Sequence, residues 1–418
     1  MRRWDAVVVG AGPAGAATAL LLARAGCAVL LLERARFPRD KPCSEYLSPE
    51  TTRILERLGA DVLNEIERAE HAKLYGMKVV APDGTVMQGR FAANHGYPSP
   101  RPYGFALPRT TFDTILRAAA ERAGAVVREQ TAVEDLLYDR GAVGGVVARS
   151  GNGKRDTCRA RVVVGADGLR SVVARRLGLR RSSMPRRLAL SAHVADVAGV
   201  EEMGEMHIGE TGYVGLGPIG GGVTTLALVV PLRAVRANGG GEAGGAGGGT
   251  SAVTSSRSST ASRACAGARL PIGWFGRCSS PARSPSGRGG WWWTAPCSWA
   301  TPPISSTRSP ARASTAPCAA RSLRSRRSPR RSRARRGGGP VTRASLASYV
   351  RARRAAFAGK WVLERLIGLG VGWPTLANRV VGRLARRPLL ADLLVGATGN
   401  FVPAGEVLAP GVLARLLW

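Results

Sequence analysis

Glycines at positions 10, 12 and 15 and an acid at position 33 have the spacing that holds a dinucleotide. Asp5–Val9 is a short apolar run, DAVVV, and reads as a buried strand. Gly10-Ala11-Gly12-Pro13-Ala14-Gly15 follows at once. A helical stretch, Ala16 to Ala25, comes next, and a second apolar run, Ala28 to Leu32, ends in Glu33. The order is strand, glycine turn, helix, strand and acid, which is the context the GxGxxG pattern needs. Gly10 allows the tight turn. Gly12 has no side chain to block a pyrophosphate, and Gly15 lets the helix pack closely on the sheet. The pyrophosphate then meets the helix N-terminus, where N–H groups and the dipole favour negative charge. Glu33 is expected to accept hydrogen bonds from the ribose. The expected cofactor contacts are Gly10, Gly12, Pro13, Ala14, Gly15 and Glu33, with Arg34 beside them.

A second motif bears on which dinucleotide is held. Arg161–Ser171 reads RVVVGADGLRS, with a buried strand over Val162–Val164 and a helix beginning near Ser171. Taken alone, its Asp-Gly pair is also a common turn. Together with the first motif it resembles the second fingerprint of the flavin hydroxylase superfamily. That resemblance implies FAD rather than NAD, with Asp167 and Gly168 along it.

Two further segments, Phe37–Glu50 (FPRDKPCSEYLSPE) and Leu107–Ala123 (LPRTTFDTILRAAAERA), are similar to the geranylgeranyl-reductase-like branch of that p-hydroxybenzoate hydroxylase-type superfamily. Gly212–Val230 (GYVGLGPIGGGVTTLALVV) resembles the branch's substrate-sheet hairpin. The resemblance covers residues 1–237 and 341–418. It implies that Arg109 contacts FAD and that Cys43 and Glu45 face the flavin ring or the substrate. Without it, Cys43 reads equally as a small buried hydrophobe, Glu45 as a loop acid and Arg109 as half of a surface pair. The chain departs from the branch's common loop at Ser44 and Tyr46, where glycines are frequent, which narrows the pocket. The hairpin also lacks the Trp-rich motif of flavin halogenases, which argues against halogenation. The implied fold is α/β: a Rossmann-type FAD-binding domain, three-layered with a mostly parallel sheet, a mixed-sheet substrate domain and a C-terminal helical region. The expected boundaries are 1–80 and 101–183 for the first, 81–100 and 184–237 for the second, and 341–418 for the third.

Residues 238–340 break this pattern. The window 251–340 holds 17 Arg, no Lys and no Asp or Glu, so it supplies +17 of the chain's +33 charge. It is crowded with Ser, Pro, Gly and Ala, has no apolar periodicity, and reads as a disordered segment. It lies where the family's third FAD motif, a GD segment before a helix, belongs. A shifted reading frame accounts for both facts. Moved by one base, codons compatible with Trp299–Ser314 can read GDAADFFDPFTGEGI, which looks like that motif. Consecutive TGG codons for Trp291-Trp292-Trp293 become valine codons, a strand leading into it. The competing reading, a basic insert that binds nucleic acid, leaves the missing motif unexplained.

The seven cysteines form no CxxC pair, His71, His95, His193 and His207 are scattered singly, and no metal site is expected. The N-terminus enters a strand by Asp5, with no signal peptide, so a cytoplasmic setting is expected. Trp361–Leu369, Leu376–Leu384 and Leu389–Val395 are amphipathic helices with Arg on their outer faces. They suit packing on the substrate domain or a peripheral membrane contact. The expected activity is reduction of C=C bonds in an isoprenoid or other lipophilic substrate. Reduced FAD supplies hydride, an acid near Cys43 and Glu45 supplies the proton, and NAD(P)H or another external donor supplies electrons. The alternatives are FAD-dependent hydroxylation of a lipophilic aromatic and an inactive frameshifted product; no nucleic-acid partner is expected. The chain as written should hold FAD weakly or not at all, and the frame-restored chain should hold it. Side-by-side flavin absorbance of the two purified proteins checks this, and full flavin loading of the chain as written contradicts the frameshift.

Overall fold

A computed structural model describes residues 3–43, 45–92, 95–179, 187–232, 293–294, 341 and 344–417. The first sheet is built around β1 (Trp4–Val9) and β2 (Val29–Leu32), whose runs are buried almost throughout. Continuous rather than alternating hydrophobicity is what a strand needs when both sheet faces are covered. Its order is β8 (Val126–Arg128), β2, β1, β11 (Arg155–Gly165), β10 (Ala142–Ser150), β9 (Thr131–Asp139). The β8–β2, β2–β1 and β1–β11 pairs are parallel, and the last two pairs are antiparallel. β11 is long because it serves twice. Arg155–Arg159 pairs with β10, and Ala160–Gly165 runs beside β1.

One face of this sheet is covered by α1 (Pro13–Arg24), α2 (Glu50–Leu58), α3 (Ala60–Arg68) and α4 (Arg109–Arg122), through Leu20, Leu55, Val62 and Leu116. Val7, Val9, Leu30 and Leu32 fill the other face against Val133, Leu136 and Val146 of the β9–β10 hairpin. The expected three layers are therefore helices, parallel sheet and antiparallel meander. The short α5 (Val172–Arg176) follows β11, and the Ser171 hydroxyl caps it by accepting from the Ala174 N–H.

The second sheet has seven strands in the order β16 (Trp293–Thr294), β12 (Arg187–Ala195), β15 (Val223–Pro231), β14 (Tyr213–Gly220), β13 (Gly204–Ile208), β5 (Gly76–Val80), β6 (Val86–Arg90). β13 and β5 run parallel and the other pairs are antiparallel. Met77, Val79, Met206, Ile208, Ala227 and Val229 alternate onto one face. There they meet α6 (Ala347–Gly372), α7 (Pro374–Ala385) and α8 (Pro388–Thr398) through Leu363, Val381, Ala391 and Val395. Two short helices, α9 (Ala404–Val407) and α10 (Pro410–Leu417), close the described chain. A small third sheet, β3 (Tyr46–Leu47), β7 (Gly104–Ala106) and β4 (Ala72–Leu74), lies in segments between the two.

The expected boundary at residue 80 cuts the β5–β6 hairpin, whose two strands pair from Gly76↔Arg90 to Val80↔Val86. The second sheet therefore begins at Gly76. The disorder and the shifted third motif expected for 238–340 lie outside the described residues. Within that span only Trp293–Thr294 is described, and it pairs with Leu190 and Ala189 of β12.

A Cβ built on Gly15 would lie 1.8 Å from the Gly10 carbonyl oxygen. Gly15→Ala must push α1 off the sheet, so it should destabilise the first domain by about 1–3 kcal/mol, the usual cost of overpacking. Urea unfolding followed by circular dichroism reads this.

Candidate functional site

The glycine turn separates two reasons for being glycine. Gly10 sits at φ +95°, and a Cβ there would meet the Ala166 carbonyl oxygen at 2.6 Å. Gly10 and Gly15 are thus demanded by the chain's own packing. Gly12 is not. Its φ of −69° and ψ of 179° suit any residue. Its Cβ would meet only Arg39 Nη2 at 3.6 Å and Lys41 Nζ at 3.9 Å, ordinary contact distances. The space beside Gly12 is therefore left open by the chain itself. α1 begins there with Pro13 in its first turn, no side-chain cap and no acid in that turn. Its N-terminal field is left for an anion.

Asp167 stands beside this turn. Its Oδ2 accepts the Val172 N–H at 2.6 Å, while Oδ1 is buried with no hydrogen-bond partner among the described residues. A buried, unpartnered acceptor is costly unless a ligand satisfies it. Glu33 is buried, with Oε2 accepting the Ala11 N–H at 2.9 Å and Oε1 the Ala35 N–H at 3.1 Å. Those bonds pin the turn and leave carboxylate lone pairs for a ribose hydroxyl. Arg34 is exposed.

Three cations converge on the same turn. Asp113, fully buried on α4, takes Arg109 in a two-pronged pair, Nε to Oδ1 and Nη2 to Oδ2, each at 2.8 Å. Arg39 Nη1 lies 2.8 Å from Asp113 Oδ2, and Arg39 also stands 3.9 Å from Glu33. Lys41 Nζ is 3.5 Å from the place a Cβ of Gly168 would occupy. Burial, with Arg109 and Arg39 adding to it, pushes the Lys41 ammonium below its ordinary value. Arg39 and Lys41 thus stand at a turn whose helix N-terminus has no side-chain cap, a match for the negative pyrophosphate of a dinucleotide. Arg39, Lys41 and Asp113 were not among the residues expected from sequence. Their signal was present in the FPRDKPC and RTTFD segments, but only the fold shows them meeting.

The loop that carries Arg39 and Lys41 runs on through Cys43, which is half-buried, to Glu45. The Glu45 carbonyl accepts the Leu107 N–H at 3.1 Å, which ties the loop to the entry of α4. The Glu45 side chain, 2% exposed, leaves the first domain and enters the second sheet. There its Oε2 accepts the buried Thr225 hydroxyl of β15 and meets His193 Nε2 of β12 at 2.8 Å. His193 and Thr225 are register partners in the β12–β15 ladder. The hydrogen bond to Glu45, opposed by burial and reinforced by the charges of Glu45 and Asp40, raises His193 above its ordinary value. Its side chain remains 41% exposed. Histidines scattered singly in the sequence carried no sign of this pairing. Beside Glu45, the Tyr46 ring stacks with Phe91 at 6.2 Å, and Phe91 meets Phe401 edge-on. Burial pushes the Tyr46 phenol well above its ordinary value. The expected grouping of Cys43 with Glu45 thus becomes a loop joining an anion-binding end, at Lys41, to a protonatable end, at Glu45.

Among known families, one described as the FAD binding domain matches residues 3–239, more than half of the chain. The chain belongs to this family. FAD is the dinucleotide its glycine turn, orphaned Asp167 oxygen and cation cluster fit. The menaquinone reductase of Mycolicibacterium smegmatis is 38% identical over 181 residues, covering 42% of this chain and 40% of that protein. The digeranylgeranylglycerophospholipid reductase of Methanosarcina mazei is 32% identical over 235 residues, 54% of each chain. The chain therefore spans about half the length of these curated relatives or less. The solved myxobacterial chondrochloren halogenase, described as a variant of FAD-dependent halogenases, superposes with a TM-score of 0.52. It is 26% identical and covers 58% of this chain and 56% of its own.

In the frame-restored chain, Gly12→Val should leave the FAD-free fold intact, because the Cβ meets nothing closer than 3.6 Å. It should nevertheless abolish FAD retention, since the side chain takes the pyrophosphate's space. Unfolding curves without FAD, paired with flavin absorbance after purification, check both halves.

Proposed function

We propose that this chain is an FAD-dependent oxidoreductase that reduces C=C bonds of an isoprenoid or other lipophilic substrate. When bound, reduced FAD supplies the hydride, and NAD(P)H or another external donor reloads it. The observation that carries the reading is the Glu45–His193–Thr225 cluster where the cofactor-side loop meets the second sheet. Saturating an alkene needs a proton as well as a hydride, and this cluster holds a protonatable group against a buried carboxylate. The reductase names of both curated relatives support it. One name refers to menaquinone and the other to a lipid with geranylgeranyl groups. The glycine turn and the Arg39–Lys41–Arg109 cations hold the pyrophosphate, and Glu33 and Asp167 offer acceptors for sugar hydroxyls.

Peripheral contact with a membrane goes with such a substrate. Among the described residues no helix is long and apolar enough to cross a membrane. Trp361, Leu369, Trp373 and Leu389 on α6–α8 are nevertheless exposed, with Arg365, Arg386 and Arg387 in the same helical region. Apolar side chains interspersed with arginines suit an anionic lipid surface.

The second reading is a monooxygenase, kept because the chain also superposes on an FAD-dependent halogenase and one fold hosts several chemistries. Oxygen uptake recorded alongside substrate conversion by the frame-restored chain separates the two. Reduction proceeds anaerobically with a mass gain of two hydrogens, whereas oxygen consumed one-for-one with a hydroxylated product overturns the reductive reading. In the same assay Cys43→Ala should keep FAD and change the turnover rate or product pattern. Its side chain lies on the loop between Lys41 and Glu45, and unchanged kinetics would make Cys43 a packing residue.

A further inference from the structure

We infer that His193 donates the proton that completes the reduction, with Glu45 as its positioning residue. This rests on the reductive reading above and replaces the expectation that an acid at Cys43 or Glu45 supplies the proton. Glu45 is the wrong donor on geometry. It is buried, and its Oε2 is already the acceptor for both Thr225 and His193. Both lone pairs of that oxygen are taken by these two partners, and burial keeps the carboxyl away from a substrate. Thr225 is fully buried. His193 alone in the cluster is both joined to the carboxylate and open on its other side. With Nε2–H directed at Glu45, the imidazolium keeps Nδ1–H as its second donor. The charged groups facing the ring are Glu45 and Asp40, both acids of the same loop. Thr225, from the adjacent strand, is neutral.

The site also has the right reach. Lys41 stands against the two glycine turns, and Glu45 lies four residues further along the loop. Four extended residues span at most about 14 Å. The pyrophosphate end and the imidazole end of the loop are thus separated by no more than one segment of chain and the side chains at its ends.

The step balances. One alkene carbon takes a hydride from reduced flavin, and the π electron pair forms the bond from the other carbon to the proton leaving Nδ1. The N–H bonding pair stays on the imidazole, which becomes neutral and keeps Nε2–H on Glu45. The flavin ends oxidised by two electrons and the alkene reduced by two. Solvent returns the proton to Nδ1 through the exposed edge of the ring.

The chain has only four histidines, so its imidazole signals can be titrated by NMR in the full-length protein. One signal, lost in His193→Gln, should titrate above the ordinary histidine value and move back towards it in Glu45→Gln. The sign follows from linkage. The imidazolium is favoured by the fold, so the pair's stabilisation is full below about pH 6.5 and is lost as pH rises through the folded value. The second arm uses geranylgeraniol in detergent, dithionite as reductant and D2O as solvent, with the chain as written and its frame-restored form. Wild-type protein should place two solvent deuterons in each reduced C=C bond, one through flavin N5, which exchanges with solvent, and one through the proton donor. His193→Gln should slow saturated-product formation by about 100-fold or more, with flavin content and flavin reduction unchanged. Glu45→Gln should move the alkaline limb of the rate profile to lower pH. Alkene reduction that survives His193→Gln at the wild-type rate overturns this inference and leaves the reductive reading standing. So does a His193 signal with an ordinary titration indifferent to Glu45. If neither wild-type form reduces the alkene, the reductive reading fails and this inference goes with it.

Discussion

Asp113 holds the candidate site together. Its carboxylate has no exposure and binds two guanidiniums, Arg109 from its own helix and Arg39 from the loop after β2. Removing one partner from such a buried set typically costs about 3–5 kcal/mol, because an uncompensated charge remains. That energy fixes the loop on α4, and the loop in turn carries Lys41, Cys43 and Glu45. The anion-binding end and the protonatable end are therefore positioned by one ionic anchor. Glu45 reaches the second sheet because its own carbonyl is tied to Leu107 and the next two residues pair with β7.

Charge is distributed to match this anchoring. Much of the chain's positive excess falls in residues 251–340, outside the described residues. The cations that matter chemically are local. Arg39, Lys41 and Arg109 lie about a glycine turn, the two arginines held by Asp113. A depressed lysine beside two arginines marks a place where a negative ligand lowers the free energy. The Lys78–Glu205–His207 cluster of the second sheet differs, because its charges answer one another. Burial works against the Glu205 carboxylate, but His207 at 2.7 Å and Lys78 at 3.4 Å hold it below the ordinary value. That cluster ties β5 to β13.

The two halves of the site call for different physics. A dinucleotide is held by backbone N–H groups, a helix dipole and fixed cations, which tolerate water at their edges. In the reduction proposed above, proton transfer to an unpolarised carbon calls for a donor kept charged in a partly dry place, the role proposed for His193 on the buried Glu45. Placing the donor on a strand of the second sheet makes the chemistry depend on how the two sheets meet.

Much was determined by the sequence alone. The buried β1 and β2 runs, the glycine turn, Glu33 and the strand ending in Asp167 were legible because their signals are local. Hydrophobic runs, turn glycines and a capping acid lie within about thirty residues of one another and obey short-range geometry. Boundaries were less legible. β5 reads as the end of the first domain, and only its parallel pairing with β13 moves it to the second. Gly12 could be read as a glycine, but only the built Cβ shows that the chain itself does not require it. His193 and Thr225 carried no signal at all, since a lone histidine in an alternating strand looks like any half-exposed residue. Their meeting with Glu45, 148 and 180 residues away, is decided by the packing of a loop against a sheet. Contacts of that sequence separation follow from tertiary packing, which local patterns do not encode.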